Sequence, residues 1–200
     1  MEHSFPTGMP LTGRALIQSW KRDMRGMAAI EFAMIVPIML ALFIGSIEFS
    51  QAITVDRRIT QIASSTADLV AREKTITDAQ LVNVTDIAKV LMQPYSTSPL
   101  RITLTSVGAN IAVATRTGVC WSYNFQGGAA TYAPGQAYAL PAGIVDAGGS
   151  VVVAEVSYNY TPLIFSYYMP GITTLKDKFY LKPRVSAQIQ KNADPICVIP

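Results

Sequence analysis

Histidine is nearly missing from this chain: there is one in 200 residues, His3. A lone imidazole so close to the start leaves the rest without a neutral-pH proton shuttle, a Ser-His-Asp triad or a histidine metal site. Cysteine is almost as scarce. Cys120 and Cys197 are the only two, and without a C-x-x-C pair neither zinc nor thioredoxin-like chemistry is signalled. Charge is thin at 14% of residues, with a net +3. Apart from Lys21, Arg22 and Arg25 the cations are scattered, which excludes a nucleic-acid face. The carboxylates form no metal-like cluster, and Asp146 with Glu155 would make a glycosidase pair only by coincidence of folding. No internal repeat is present. These absences predict no enzyme, no metal, no cofactor and no small-molecule substrate.

What the chain has instead is one long apolar run. Residues 27–47, MAAIEFAMIVPIMLALFIGSI, contain a single charge, Glu31, and 21 residues suffice to cross a hydrocarbon core as a helix. Arg14, Lys21, Arg22 and Arg25 precede it and keep that flank cytoplasmic, although Arg57 and Arg58 lie about ten residues beyond the other end. The expected arrangement is an inner-membrane, single-pass protein with its C-terminal part in the periplasm. Residues 1–26 read as a basic, cleavable leader, 27–47 as the transmembrane helix and 48–200 as the periplasmic domain. A secretory signal peptide cut near residues 50–52 is the competing reading, but its apolar region runs 7 to 15 residues. In an oxidising periplasm a Cys120–Cys197 bridge is the default, and two unrelated buried thiols are the alternative. Pro37 removes one helical hydrogen bond, which proline-tolerant membrane helices accommodate.

Past the run, Ala52, Val55, Ile59, Ile62, Thr66 and Leu69 recur at steps of three and four, so the helix is expected to continue to about Arg72, with Asp68 and Arg72 supporting its last turn. Thr77 and Gln80 form a capping box for a second helix that carries Leu81, Val84, Ala88 and Leu91 on one face and stops at Pro94. After Pro99 the period becomes two. Strands are expected over residues 100–105, 111–115, 119–125, 151–160 and 183–189, with a turn at 108–110. Within the third, Val119, Trp121, Tyr123 and Phe125 fall on one face and Cys120 on the other. Residues 127–149, rich in Gly, Ala and Pro, read as a long loop, uncommon unless it contacts something. Tyr158, Tyr160, Tyr167 and Tyr168 suit cross-strand core pairs better than a binding groove. The fold class is α+β: a long N-terminal membrane-spanning helix, then a periplasmic antiparallel sheet of four or five strands packed on helices.

The sharpest local pattern is Lys21-Arg22-Asp23-Met24-Arg25-Gly26-Met27-Ala28-Ala29-Ile30-Glu31-Phe32. It resembles a type IV prepilin cleavage site. The resemblance implies cutting after Gly26 by a prepilin peptidase and a glutamate, here Glu31, at the fifth mature position. Independently of that, an ionisable group inside a span costs ~2.5–3.5 kcal/mol at its centre and is functional by default. Cutting would create an ammonium on Met27, and a neighbouring subunit's Glu31 would pair with it and set axial register, while apolar side chains supply the packing. A glutamate that merely snorkels to the interface is the bland alternative.

Residues 26–49, GMAAIEFAMIVPIMLALFIGSIEF, are more narrowly similar to the TadE/TadG-like minor pilins or pseudopilins of tight-adherence (Tad, or Flp) pili: G-x-x-A-I/V-E-F-A, a proline at Pro37, then Gly45, Glu48 and Phe49. Residues 151–163 are faintly similar to their late strand. The resemblance implies a structural or assembly role in the pilus, with other pilins, Tad assembly proteins, the prepilin peptidase and the membrane as partners. It also implies a place in the inner membrane or the extracellular pilus. The other reading is an unprocessed, membrane-anchored periplasmic binding domain; a type II secretion pseudopilin is disfavoured by Glu48-Phe49 and the tyrosine-rich strand.

Overall fold

The computed structural model describes residues 26–125, 129–162, 173–192 and 194–200. The cations Arg14, Lys21, Arg22 and Arg25, the glycines at 127 and 128, and Leu163, Tyr167 and Tyr168 lie outside the described residues. The chain divides into two compact units between Ile47 and Glu48.

Helix α1, Met27–Ala71, is shared between the units, and its residues from Glu48 onward belong to the second. There Val55, Ile59, Ile62, Ala63, Ala67, Val70 and Ala71 are fully buried, the i, i+3, i+4 spacing of a helix with one core face. Thr66 sits among them, and its hydroxyl donates to the Ile62 carbonyl at 2.7 Å, so the buried oxygen is satisfied. The last turn is tied by Asp68, which takes both Arg72 and Arg184, and by Arg184 N–H donating to the Ala71 carbonyl at 2.9 Å.

The two-residue strand β1 (Thr75–Ile76) leads into helix α2 (Asp78–Met92). Thr77 caps it: the Gln80 N–H donates to the Thr77 hydroxyl at 3.2 Å, while Thr77 N–H donates to the Gln80 side chain at 2.8 Å. Leu81, Val84, Ala88 and Met92 form its buried face, and the helix ends two residues before Pro94.

Four strands follow: β2 (Leu100–Ala109), β3 (Thr117–Asn124), β4 (Ser150–Tyr160) and β5 (Thr173–Leu181), in the order β3-β2-β4-β5, all antiparallel. A short β6 (Gln190–Lys191) pairs in parallel with β1. The architecture is α+β. One sheet face, with Leu100, Ile102, Leu104, Val152, Ala154, Val156 and Tyr158, packs with the core of α1 and α2. On the other face Val107, Ala109, Val119, Val151 and Val153 are covered by Tyr138 and Val145, which come from the 129–149 stretch. That long stretch is therefore a lid on the outer sheet face, which accounts for its length.

Four sequence expectations need correction. The turn expected at 108–110 is still strand as far as Ala109, with Gly108 and Ala109 paired to Gly118 and Thr117. Residues 111–115 are a turn rather than a strand: the Asn110 carboxamide accepts from the Ala112 and Val113 N–H groups at 2.8 and 3.0 Å, and Ile111 stands 84% exposed. Residues 183–189 are irregular. Pro183 has no N–H to give a ladder, and the partner strand of β4 is instead Thr173–Leu181. Finally, Val119 does not share a face with Trp121 and Tyr123. Ser106 pairs with Trp121 but Val107 pairs with Val119, so Cys120 is the extra residue of a β-bulge that reverses the alternation.

Candidate functional site

Residues 27–47 form helix on ordinary grounds: four alanines, three methionines and two leucines favour it, the five isoleucines tolerate it, and glycine enters only at Gly45. Their 21 residues rise about 31 Å, close to the thickness of a hydrocarbon core. The outside of this stretch is apolar on every side. Ile30, Phe32, Met34, Ile38, Leu42 and Phe43 are each more than 60% exposed, and the helix is long and apolar enough to cross a membrane. In water such a surface is untenable at this length, because a helix apolar all round belongs in lipid or among other helices. Pro37 sits inside and withdraws the N–H that would have met the Ala33 carbonyl. Ser46 donates to the Phe43 carbonyl at 2.8 Å and so hides its own hydroxyl.

Gly26 and Met27 open this stretch. A Cβ placed on Gly26 would meet nothing within 4 Å, and its backbone is not in the left-handed region. Glu31 lies one turn beyond Met27, on the same helix face, and Phe32 beside it is 68% exposed. Among the described residues the Glu31 carboxylate has no hydrogen bond or ion pair.

Cys120 and Cys197 are bonded, with Cα atoms 5.4 Å apart. The bond fastens residues 194–200 over the β2–β3 end of the sheet, where Asn110 Nδ2 also donates to the Ile199 carbonyl at 2.8 Å. Gln188 exchanges two 3.1 Å hydrogen bonds with the Cys197 backbone. Gly108 makes room for this arrangement, since a Cβ there would lie 2.8 Å from the Cys120 sulfur.

Sequence reasoning missed the polar centres of the second unit. Glu155, on the outer face of β4, accepts from the Tyr132 hydroxyl at 2.8 Å and the Tyr138 hydroxyl at 2.7 Å, and pairs with Lys178 at 2.6 Å. Burial pushes its carboxyl up, but the hydrogen bonds from Lys178, Tyr138 and Tyr132 outweigh that and hold it below the usual range. Burial first, then the Glu155 hydrogen bond, raises Tyr138. A carboxylate inside the apolar string VVVAEVSY was the available signal. Asp146 pairs separately with Lys182 at 2.7 Å, so the two carboxylates have different cations. Arg58 donates to the Leu91 carbonyl at 2.7 Å and lies over the Tyr95 ring at 5.6 Å. Glu48 is only 7% exposed, and burial first, then the Glu48 charge, raises the buried Tyr160 hydroxyl. No group of three or more His, Cys, Asp or Glu placed to hold a metal occurs among the described residues.

No curated protein and no solved structure matches this chain significantly. A family model does match, over residues 26–68, and its description is TadE-like protein. The match begins at Gly26, takes in the exposed apolar helix with Glu31 and Pro37, and runs through the buried stripe to Asp68. Residues 26–68 are thus similar to TadE-like proteins, and among the described residues one helix, in that segment, is long and apolar enough to serve as a membrane anchor.

Proposed function

We propose that this chain is a structural or assembly component of a bacterial tight-adherence pilus, anchored in the inner membrane by residues 27–47 with residues 48–200 in the periplasm. In this reading it is cut after Gly26 by a prepilin peptidase. The observation that carries it is the coincidence at Gly26. The TadE-like match starts there, basic residues precede it, and among the described residues neither φ nor side-chain space demands a glycine. A small residue with no internal reason to be small suits an external reader, and a peptidase that must draw backbone into its cleft is one. Cutting there would leave the Met27 ammonium one turn from Glu31. In low dielectric that amine and a neighbour's carboxylate attract strongly, which supports Glu31 as the register residue and Phe32 as its apolar flank. Other pilins and Tad assembly proteins are the partners this requires.

Intact-mass analysis of membrane-purified protein tests the reading. A chain starting at Met27 is expected, and a Gly26→Leu variant should stay full length. Recovery of uncut wild-type chain from cells with an active prepilin peptidase would sink it.

A further inference from the structure

At the start of the second unit, α1 buries a carboxylate and shows a phenylalanine. Glu48 is only 7% exposed, whereas Phe49 is 69% exposed and Ile53 38%. That order is the reverse of what water rewards. It makes sense if the medium on the Phe49 side is not water.

The exposed face then changes character along the helix. Phe49, Ile53 and Arg57 follow at i, i+4 and i+8, so they share one face and span about 12 Å of axis. Thr60 and Ser64 continue it. Apolar, then cationic, then neutral polar is the sequence of media met on leaving a bilayer: acyl boundary, phosphate layer, water. Among the described residues the Arg57 side chain has no ion pair or hydrogen bond, while that of the next residue, Arg58, is taken up by the Leu91 carbonyl and the Tyr95 ring. A planar guanidinium free of protein carboxylates matches a lipid phosphate bidentately. The apolar run also ends at Ile47, only two residues before Phe49.

We infer that the Phe49, Ile53 and Arg57 face of the second unit is a lipid-docking surface, with Phe49 and Ile53 at the acyl boundary and Arg57 on phospholipid phosphate. This rests on the reading of residues 27–47 as a membrane span. It adds that the folded unit is seated on the bilayer surface instead of hanging from a free tether.

The full chain, reconstituted in nanodiscs of phosphatidylcholine and phosphatidylglycerol brominated in the acyl chains, provides the test. Phe49→Trp, Ile53→Trp, Thr60→Trp and Leu42→Trp are each compared with a Trp20→Phe parent, in which Trp121 is constant. Phe49→Trp and Ile53→Trp should lose emission to the brominated lipid, less deeply than Leu42→Trp, while Thr60→Trp should not. Arg57→Gln should lessen the quenching at Ile53→Trp in discs containing phosphatidylglycerol. If Leu42→Trp is quenched but Phe49→Trp and Ile53→Trp are not, the inference fails and the span stands. If none is quenched, the span reading itself is wrong. Blue-shifted Phe49→Trp emission that escapes bromine and grows with protein concentration would assign the face to a second copy and overturn the lipid assignment.

Discussion

The two stretches of α1 are the same secondary structure under opposite rules. Up to Ile47 none of the described large side chains is buried, and most of them are exposed on every side of the helix. From Val55 onward Val55, Ile59, Ile62 and Val70 are fully buried along one stripe with Leu69 partly buried beside them, while Arg57, Thr60 and Gln61 are exposed on the other sides. Neither helix propensity nor length separates the two. What differs is the angular distribution of apolar residues, which decides whether a helix needs one neighbour or a whole apolar medium. The same contrast applies to charge: Glu31 is exposed on the apolar stretch, whereas Glu155 on the sheet has three partners within hydrogen-bonding distance.

Deletion of matched side chains should break the comparison most visibly. Ile59→Ala empties a fully buried site and should cost the second unit about 2–5 kcal/mol. Ile38→Ala, at a 63% exposed site, should leave the urea midpoint of that unit within about 0.5 kcal/mol. Denaturation of the full chain in detergent, followed by Trp121 fluorescence, measures both. Equal effects would mean that the two stretches are not energetically distinct.

Next in size is the tie between β3 and the C-terminal residues. Cys120 and Cys197 are 77 residues apart, and the chain-entropy account of such a loop gives about 4 kcal/mol, with ~0–5 in practice. Cys197→Ala should lower the unfolding midpoint of the second unit accordingly and leave helix 27–47 untouched. Complete alkylation of both thiols in unreduced, denatured wild type would show that the bond is absent.

A smaller effect is expected at Glu155, because Lys178 is half exposed and screened. Its folded pKa lies below the ordinary 4.5, so the carboxylate contributes stability that is complete above that value and disappears as pH falls through the folded one. Glu155→Gln should flatten this acid limb in a pH series of thermal unfolding. A limb unchanged by the substitution would place the acid sensitivity elsewhere, Asp78 being the next carboxyl held low, by Lys191 and Asn192.

The smallest effect on stability, and the sharpest on assembly, belongs to Glu31→Gln. It keeps shape and hydrogen-bonding capacity but removes charge, so unfolding of the second unit should not move. Under the proposed function the variant is cut and reaches the membrane, yet is not incorporated into pili, and Glu31→Asp falls between. Wild-type incorporation of Glu31→Gln at native expression would reduce the residue to a snorkelling side chain.

Much of the helical half of this molecule was legible in the sequence. The apolar run, the stripe through Val55, Ile59 and Ile62, and the Thr77–Gln80 box each depend on residues within a few positions of one another, and each lies where that spacing puts it. The sheet was legible only in part. Nothing local marks Cys120 as an extra residue, because the bulge exists only relative to Ser106 and Val107 across the ladder. Strand β5 was missed since Asp177 interrupts the apolar set Leu175, Phe179 and Leu181. The place of Lys178 on its other face makes sense only once it is seen opposite Glu155. The Glu155 centre draws its partners from positions 132, 138 and 178, separations that no periodicity spans.

The sequence by itself determined that the chain is α+β, that it begins its described part with a helix fit for a membrane, and that the next helix starts at a Thr77 cap. These follow from side-chain spacing and backbone preference, which act over one or two turns. Tertiary structure alone decided the order β3-β2-β4-β5, the face on which Val119 falls, the lid formed by residues 129–149, and the burial of Glu48 beside an exposed Phe49. Those outcomes depend on which distant surfaces exclude water together, and that is a property of the packed chain rather than of any segment in it.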